Sequence, residues 1–291
     1  MGAYVLWGLL PLFWKALKEV PALEILAHRM VWSLGVVLLL LALRGRWRWL
    51  ASVVRDRRIL LTFTTTALLL SLNWYIYIWA VNAGYIVETS LGYFINPLVN
   101  VLLGVLFLKE RLRLWQGVAI ALAFVGVLYL TVQYGALPWI ALTLAISFGF
   151  YGLLRKTASL DSLEGLTLET LLLFLPALSY LLYLEGQGSA AFGHSSVSTT
   201  ALLALAGIAT ATPLLLFASG ARRITLTLLG LLQYIAPTLQ FLIGVFVYGE
   251  ELSPARLMGF AIIWAALLLY TGESLLHHRR EGPLQPAVSK P

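Results

Sequence analysis

Long apolar runs separated by short clusters of charge fill this 291-residue chain, and that alternation settles the class of fold before any single residue is considered. The runs, bounded by charges, Gly or Pro, lie near residues 2–17, 22–43, 59–82, 86–108 and 114–133, then near 136–155, 164–184, 200–221, 225–248 and 256–276. A helix crosses the hydrocarbon core with about 20 apolar residues, so the runs read as spans and the clusters as loops. Charged residues make up 11% of the chain, against about 25% in soluble domains. A water-soluble fold is excluded, and the pattern predicts an all-α integral membrane protein with ten transmembrane helices. Met1 to Phe13 lacks the basic leader and small-residue cleavage site of a signal peptide, so it reads as part of the first helix. Its shortness predicts that this helix begins upstream of Met1.

The basic residues orient the helices. Arg44, Arg46, Arg48, Arg55, Arg57 and Arg58 follow the second run, Lys109, Arg111 and Arg113 the fourth, Arg155 and Lys156 the sixth, and Arg222 and Arg223 the eighth; Arg279, Arg280 and Lys290 end the chain. The opposite loops carry only Lys15, Lys18 and Arg256, and Arg29 is left inside a span. The positive-inside rule therefore predicts both termini and the loop around Arg46 to Arg58 in the cytoplasm, and residues 186–198 in the periplasm. This reads the net charge of +7 as topology, with the lipid bilayer rather than nucleic acid as partner. Residues 277–291, polar and carrying Pro283, Pro286 and Pro291, are expected to form a disordered cytoplasmic tail.

A second pattern lies inside the first. A shift of 140 positions sets Leu91, Ile95, Pro97, Gly104, Glu110 and Thr131 on Leu231, Ile235, Pro237, Gly244, Glu250 and Thr271 without a gap, and a shift of 141 sets the run from Trp7 on the run from Phe148. Shared leucine content does not explain the coincident Pro, Gly and Glu. Residues 1–133 and 136–276 thus read as two five-helix repeats, and five being odd, as repeats of opposite orientation. Inverted repeats are a plan of secondary transporters, with the binding site near the midplane between halves.

LEILAHRMVWS from Leu23, NWYIYIWAVN from Asn73, SLGYFINPLVN from Ser90 and LLQYIAPTLQF from Leu231 resemble the RarD family, often labelled chloramphenicol-sensitive protein, within the EamA-type drug/metabolite transporter superfamily. The resemblance runs from Gly2 to about Leu276 and implies a ten-helix permease whose relatives export amino acids, metabolites or drugs.

The candidates to carry chemistry are polar groups within spans. Arg29, about seven residues into the second span, is too costly to face lipid unpaired. It reads either as a contact for substrate or coupling ion, or as a structural pair with Glu24 or Glu88, or as a snorkelling side chain. His28, one turn from Glu24, and its repeat mate Glu169 are candidates for proton or ion coupling, against packing and capping roles. Pro97 and Pro237 each remove a backbone hydrogen bond and are expected to kink related helices. Tyr93, Asn96 and Asn100 surround one proline; Gln233, Tyr234 and Gln240 surround the other. Together with Asn73 and Tyr77 of the third span they are candidates to line a cavity for a small-molecule substrate, the alternative being interhelical hydrogen bonds that hold the helices together. With no cysteine, no GxxxxGK[ST], HExxH or GxSxG motif and no zinc-ligand spacing, neither a metal, a cofactor nor ATP-driven or hydrolytic chemistry is expected. The reading that remains is a secondary transporter, with a membrane enzyme or lipid-handling protein as the alternative.

Overall fold

The computed structural model describes residues 1–45, 47, 49, 50, 53, 56–82, 86–134, 139–247 and 254–281. Among them run eleven helices: α1 (Gly2–Lys15), α2 (Ala22–Arg44), α3 (Arg57–Asn82), α4 (Ile86–Leu108), α5 (Leu114–Tyr134), α6 (Trp139–Thr157), α7 (Ser162–Gly186), α8 (Val197–Ala221), α9 (Leu226–Gln233), α10 (Ile235–Phe246) and α11 (Pro254–Glu281). The described residues contain no strand. Seven segments are long and apolar enough to cross a membrane, one of them running from α9 into α10. Glu250 and most of the loop from Arg46 to Arg55 lie outside the described residues, as do residues 282–291 of the expected tail. The helix α11 carries on to Glu281, beyond the point where the apolar pattern stops.

The ninth run is two helices. Pro237 has no N–H for the Gln233 carbonyl and its ring collides with it, so α9 stops at Gln233 and α10 restarts at Ile235 with Pro237 in its first turn, where the missing donor costs nothing. Pro97 sits inside α4, which is continuous. Loop residues turn the chain by recognisable chemistry. Asp161 accepts from the amides of Leu163 and Glu164 while the Glu164 side chain returns to the Asp161 N–H, a capping box that starts α7. Lys156 donates to the carbonyls of Ala221 and Ile224, closing the C-terminal end of α8, and Arg222 donates to the Leu160 carbonyl. These basic residues at or beyond helix ends therefore also satisfy helix-end carbonyls and loop carbonyls.

The chain divides into two compact units, one of residues 1–110 and 138–250 and one of residues 111–137 and 251–291. In the first, α2 packs on α7 and α8, α3 on α6 and α7, α4 on α6 and α9, and α1 on α8 and α10. Small residues set the closest approaches. A Cβ at Gly8 of α1 would stand 2.7 Å from the Leu239 Cβ of α10, and a Cβ at Gly149 of α6 would stand 2.6 Å from Val99 Cγ1 of α4. The second unit pairs α5 with α11; Arg113 Nε lies 2.7 Å from Glu273 Oε1 there, and Gln116 Nε2 donates to the Tyr270 hydroxyl at 3.3 Å.

Candidate functional site

Polar side chains in the first unit gather at several places. The first is Arg29. It is partly buried, and its Nε donates to Thr210 Oγ1 of α8 at 2.9 Å. Its guanidinium carbon lies 4.7 Å from the ring centre of Trp14 on α1 and 4.4 Å from that of Trp74 on α3. Two indole faces thus hold one planar cation, an arrangement in which each contact contributes about 0.5–2 kcal/mol depending on exposure. Tyr77 and Tyr93 stand edge to face with ring centres 5.8 Å apart, within electrostatic reach of the cation. Asn73 is engaged elsewhere, donating to the Leu144 carbonyl at 2.8 Å and to Ser147 Oγ at 2.9 Å.

The second place is the turn of α2 before Arg29. His28 Nε2 lies 3.9 Å from Glu24 Oε1, and that oxygen accepts from the Ala191 amide at 2.7 Å. The His28 ring stacks on Phe192 with centres 4.9 Å apart. Among the described residues both ring nitrogens and Glu24 Oε2 have no hydrogen-bond partner. A cavity of about 230 Å³ borders them, lined by Glu24, His28, Trp32, Leu181, Glu185 and Phe192 among others. Most of that lining is apolar side chains, with Glu24, His28 and Glu185 as its ionisable members.

Glu169 forms the third place, with Arg155. The apolar pattern puts Arg155 in a loop, but it ends up in the last turn of α6, turned inward and buried. Its Nε lies 3.8 Å from Glu169 Oε1, its Nη2 donates to the Ser162 carbonyl at 3.0 Å, and its plane lies over Phe63 of α3 with 5.3 Å to the ring centre. Tyr151 donates to Glu169 Oε2 at 3.4 Å. A side chain at residue 165 would overlap the guanidinium, so Gly165 is what admits it. The reading of Arg155 as a loop charge is thereby corrected: a terminal turn that packs inward can bury a cation when a carboxylate waits for it.

The fourth place is where α4 meets the break between α9 and α10. Asn100, fully buried, donates from Nδ2 to Gln233 Oε1 at 2.9 Å. The Tyr234 hydroxyl donates to the Phe94 carbonyl at 3.2 Å. Asn96 is buried too, and among the described residues its Oδ1 and that of Asn100 have no hydrogen-bond partner. Gln240 does not join them; its amide donates to the Trp7 carbonyl of α1 at 3.2 Å. Two of the four carboxamides therefore bond each other, and one anchors α10 to α1.

Glu110 sits just beyond α4 and sequence reasoning valued it only as a repeat match. Its backbone N–H returns to the Gly104 carbonyl at 3.0 Å, and a Cβ at Gly104 would stand 2.7 Å from its Oε2, so the glycine makes room for the carboxylate. That carboxylate accepts from the Leu226 and Thr227 amides at 2.6 and 2.9 Å and from the Thr227 hydroxyl at 2.7 Å. It completes the N-terminus of α9, where unpaired amides and the helix dipole favour an anion. In the first half the matched Gly104 and Glu110 thus act together. Trp14, Thr210, Tyr151 and Arg155 were not singled out either; their partners lie across the fold, and no local spacing marks them.

A model of the EamA-like transporter family matches residues 1–132. Protein RarD of Streptomyces exfoliatus is 52% identical over 96% of this chain and 89% of its own length. An uncharacterized transporter of Bacillus subtilis, YojE, is 51% identical over 92% and 91%, and protein RarD of Escherichia coli is 41% identical over 96% and 95%. One solved crystal structure superposes with a TM-score of 0.67 at 22% identity, covering 96% of both chains, a likeness of fold alone. Apolar helices, identity over nearly the whole chain and the family match agree: the chain belongs to the RarD branch of the EamA-like transporter family and is a multi-pass membrane transporter.

Proposed function

We propose that the protein is a secondary permease that exports a small organic solute, such as an amino acid, metabolite or drug, across the bacterial inner membrane by alternating access between two inverted five-helix repeats, with both termini in the cytoplasm. The observation that carries this reading is the reciprocity of contacts under the repeat. The 141-residue shift relates Gly8 to Gly149 and the 140-residue shift relates Val99 to Leu239; Gly8 packs on Leu239, and Gly149 packs on Val99. When residue i of one half meets j of the other and their mates meet in the reversed sense, a two-fold relation is the simplest cause. Residues on such an axis touch their own mates. Trp7 and Phe148 do so with ring centres 5.6 Å apart, and Phe94 and Tyr234 with centres 6.3 Å apart.

The substrate path then runs beside that axis, past Tyr93, Asn96, Asn100, Gln233, Tyr234 and Gln240, with the Pro237 break as the joint about which α9 and α10 bend. Arg29 and Tyr77 line it toward the periplasmic side, with Asn73 holding α3 to α6 beside them. His28, with Glu24 beside the cavity, and Glu169 are the coupling candidates, and a proton on Glu169 would release Arg155. Reconstitution tests the reading. Proteoliposomes preloaded with a mixture of unlabelled amino acids and metabolites should accumulate a labelled member by counterflow. Net consumption of the solute, or flux without counterflow, would point to an enzyme or a channel instead.

A further inference from the structure

Arg29 is a cation whose counter-ion the described residues do not supply. The guanidinium carbon lies over the indole rings of Trp14 and Trp74, which accept no hydrogen bond in the guanidinium plane, and Thr210 takes the Nε edge. The edge carrying Nη1 and Nη2 meets no carboxylate among the described residues. Glu24, five positions earlier, is held by the Ala191 amide and faces His28; the Glu88 side chain lies outside the described residues. The phenols of Tyr77 and Tyr93 are close at hand.

We propose that the transported solute is a small organic carboxylate, and that Arg29 anchors it through the Nη1–Nη2 edge while Tyr77 and Tyr93 donate to the same oxygens. The proposal rests on the transport reading above. A guanidinium edge and a carboxylate match in plane and spacing and bond bidentately. Each charge alone is costly within an apolar span; together they offset one another. The indoles of Trp14 and Trp74 fix the plane of the fork, so the anion meets an edge already oriented, which lowers the entropy lost on binding. Because α1, α3 and α8 each touch the Arg29 side chain, the anion's position is tied to how these helices are arranged.

Matched probe pairs test this. Purified protein in phosphatidylcholine vesicles is titrated with benzoate and benzamide, phenylacetate and phenylacetamide, and L-phenylalanine and L-phenylalaninamide, reading the thermal unfolding midpoint. At least one carboxylate should raise the midpoint saturably while its amide does not. Arg29→Gln should weaken that apparent affinity about 10- to 100-fold, the loss expected for a hydrogen-bonded charge. Arg29→Lys should keep part of it, and Tyr93→Phe, which removes only a hydroxyl, should cost a few-fold. Failure of every carboxylate, an equal response to the amides, or unchanged affinity in Arg29→Gln overturns the proposal. So does a response abolished by added phosphatidylglycerol, which would assign the edge to a lipid phosphate, or a Glu88→Gln variant that reproduces the Arg29→Gln loss. Counterflow of a neutral or cationic solute without carboxylate binding sinks the inference and leaves the transporter; carboxylate binding without counterflow of any bound probe does the reverse.

Discussion

Two arginines rest on aromatic side chains of the same helix and live in opposite surroundings. Arg155 lies over Phe63 and faces Glu169; Arg29 lies over Trp74, eleven residues further along α3, and faces a hydroxyl, Thr210. At 1.5 Å per residue the two aromatic supports are roughly 16 Å apart along the helix. The 141-residue shift that sets His28 on Glu169 also sets Trp14 on Arg155, Arg29 on Thr170 and Glu24 on Gly165. One half keeps the cation on its second helix and an aromatic on its first. The other has moved the cation to its first helix and cleared residue 165 to admit it. The difference separates two uses of a buried charge. A cation with its own carboxylate fastens helices to each other, whereas one that meets no carboxylate among the described residues is the one proposed to bind what arrives.

The largest expected effect follows from removing the counter-ion of the fastened pair. Glu169→Leu leaves a buried guanidinium uncompensated and should cost about 3–5 kcal/mol of stability, read as a lower unfolding midpoint after solubilisation. Adding Arg155→Met in the same chain should restore most of it. By contrast Arg29→Leu, which gives up the Thr210 hydrogen bond and two indole contacts but strands no carboxylate among the described residues, should cost less stability than Glu169→Leu and should abolish transport. Equal destabilisation by Glu169→Leu and Arg29→Leu would erase the distinction. A smaller loss, about 1.5–3 kcal/mol, is expected for Glu110→Ala, which strips a charged acceptor from two amides of α9; restored stability in Glu110→Asp would argue for the anion rather than for packing. The smallest effect belongs to the carboxamides. Asn100→Leu and Gln240→Leu should insert normally and weaken substrate binding, more so for Asn100, whose oxygen has no partner among the described residues, than for Gln240, which is bonded to Trp7.

Much of the fold was legible because a bilayer reduces folding to apolar length and charge. The runs near 22–43, 59–82 and 114–133 became α2, α3 and α5 with ends shifted by at most two residues, and Pro237 marked a real interruption because a missing donor acts locally. What stayed hidden was long-range. Thr210 meets Arg29 across 181 residues of sequence, and nothing near either announces the other. Arg155 misled because a basic residue at the end of an apolar run has the same local pattern whether it turns out to water or inward, and the deciding feature, Gly165, lies ten positions away on the next helix. Glu110 was visible as a repeated residue, yet its work at the start of α9 depends on the close approach of two helices from different halves.

The central claim is that the two halves share a plan in opposite orientation, and sidedness tests it most directly. The chain has no cysteine, so single cysteines report unambiguously. Arg111 and Glu251 are related by the 140-residue shift, and opposite orientation puts them on opposite faces of the membrane. In intact cells an impermeant maleimide should label Glu251→Cys and leave Arg111→Cys unlabelled, with both labelled once the membrane is permeabilised. Labelling of both, or of neither, in intact cells would place the mates on one face and contradict the inverted repeat.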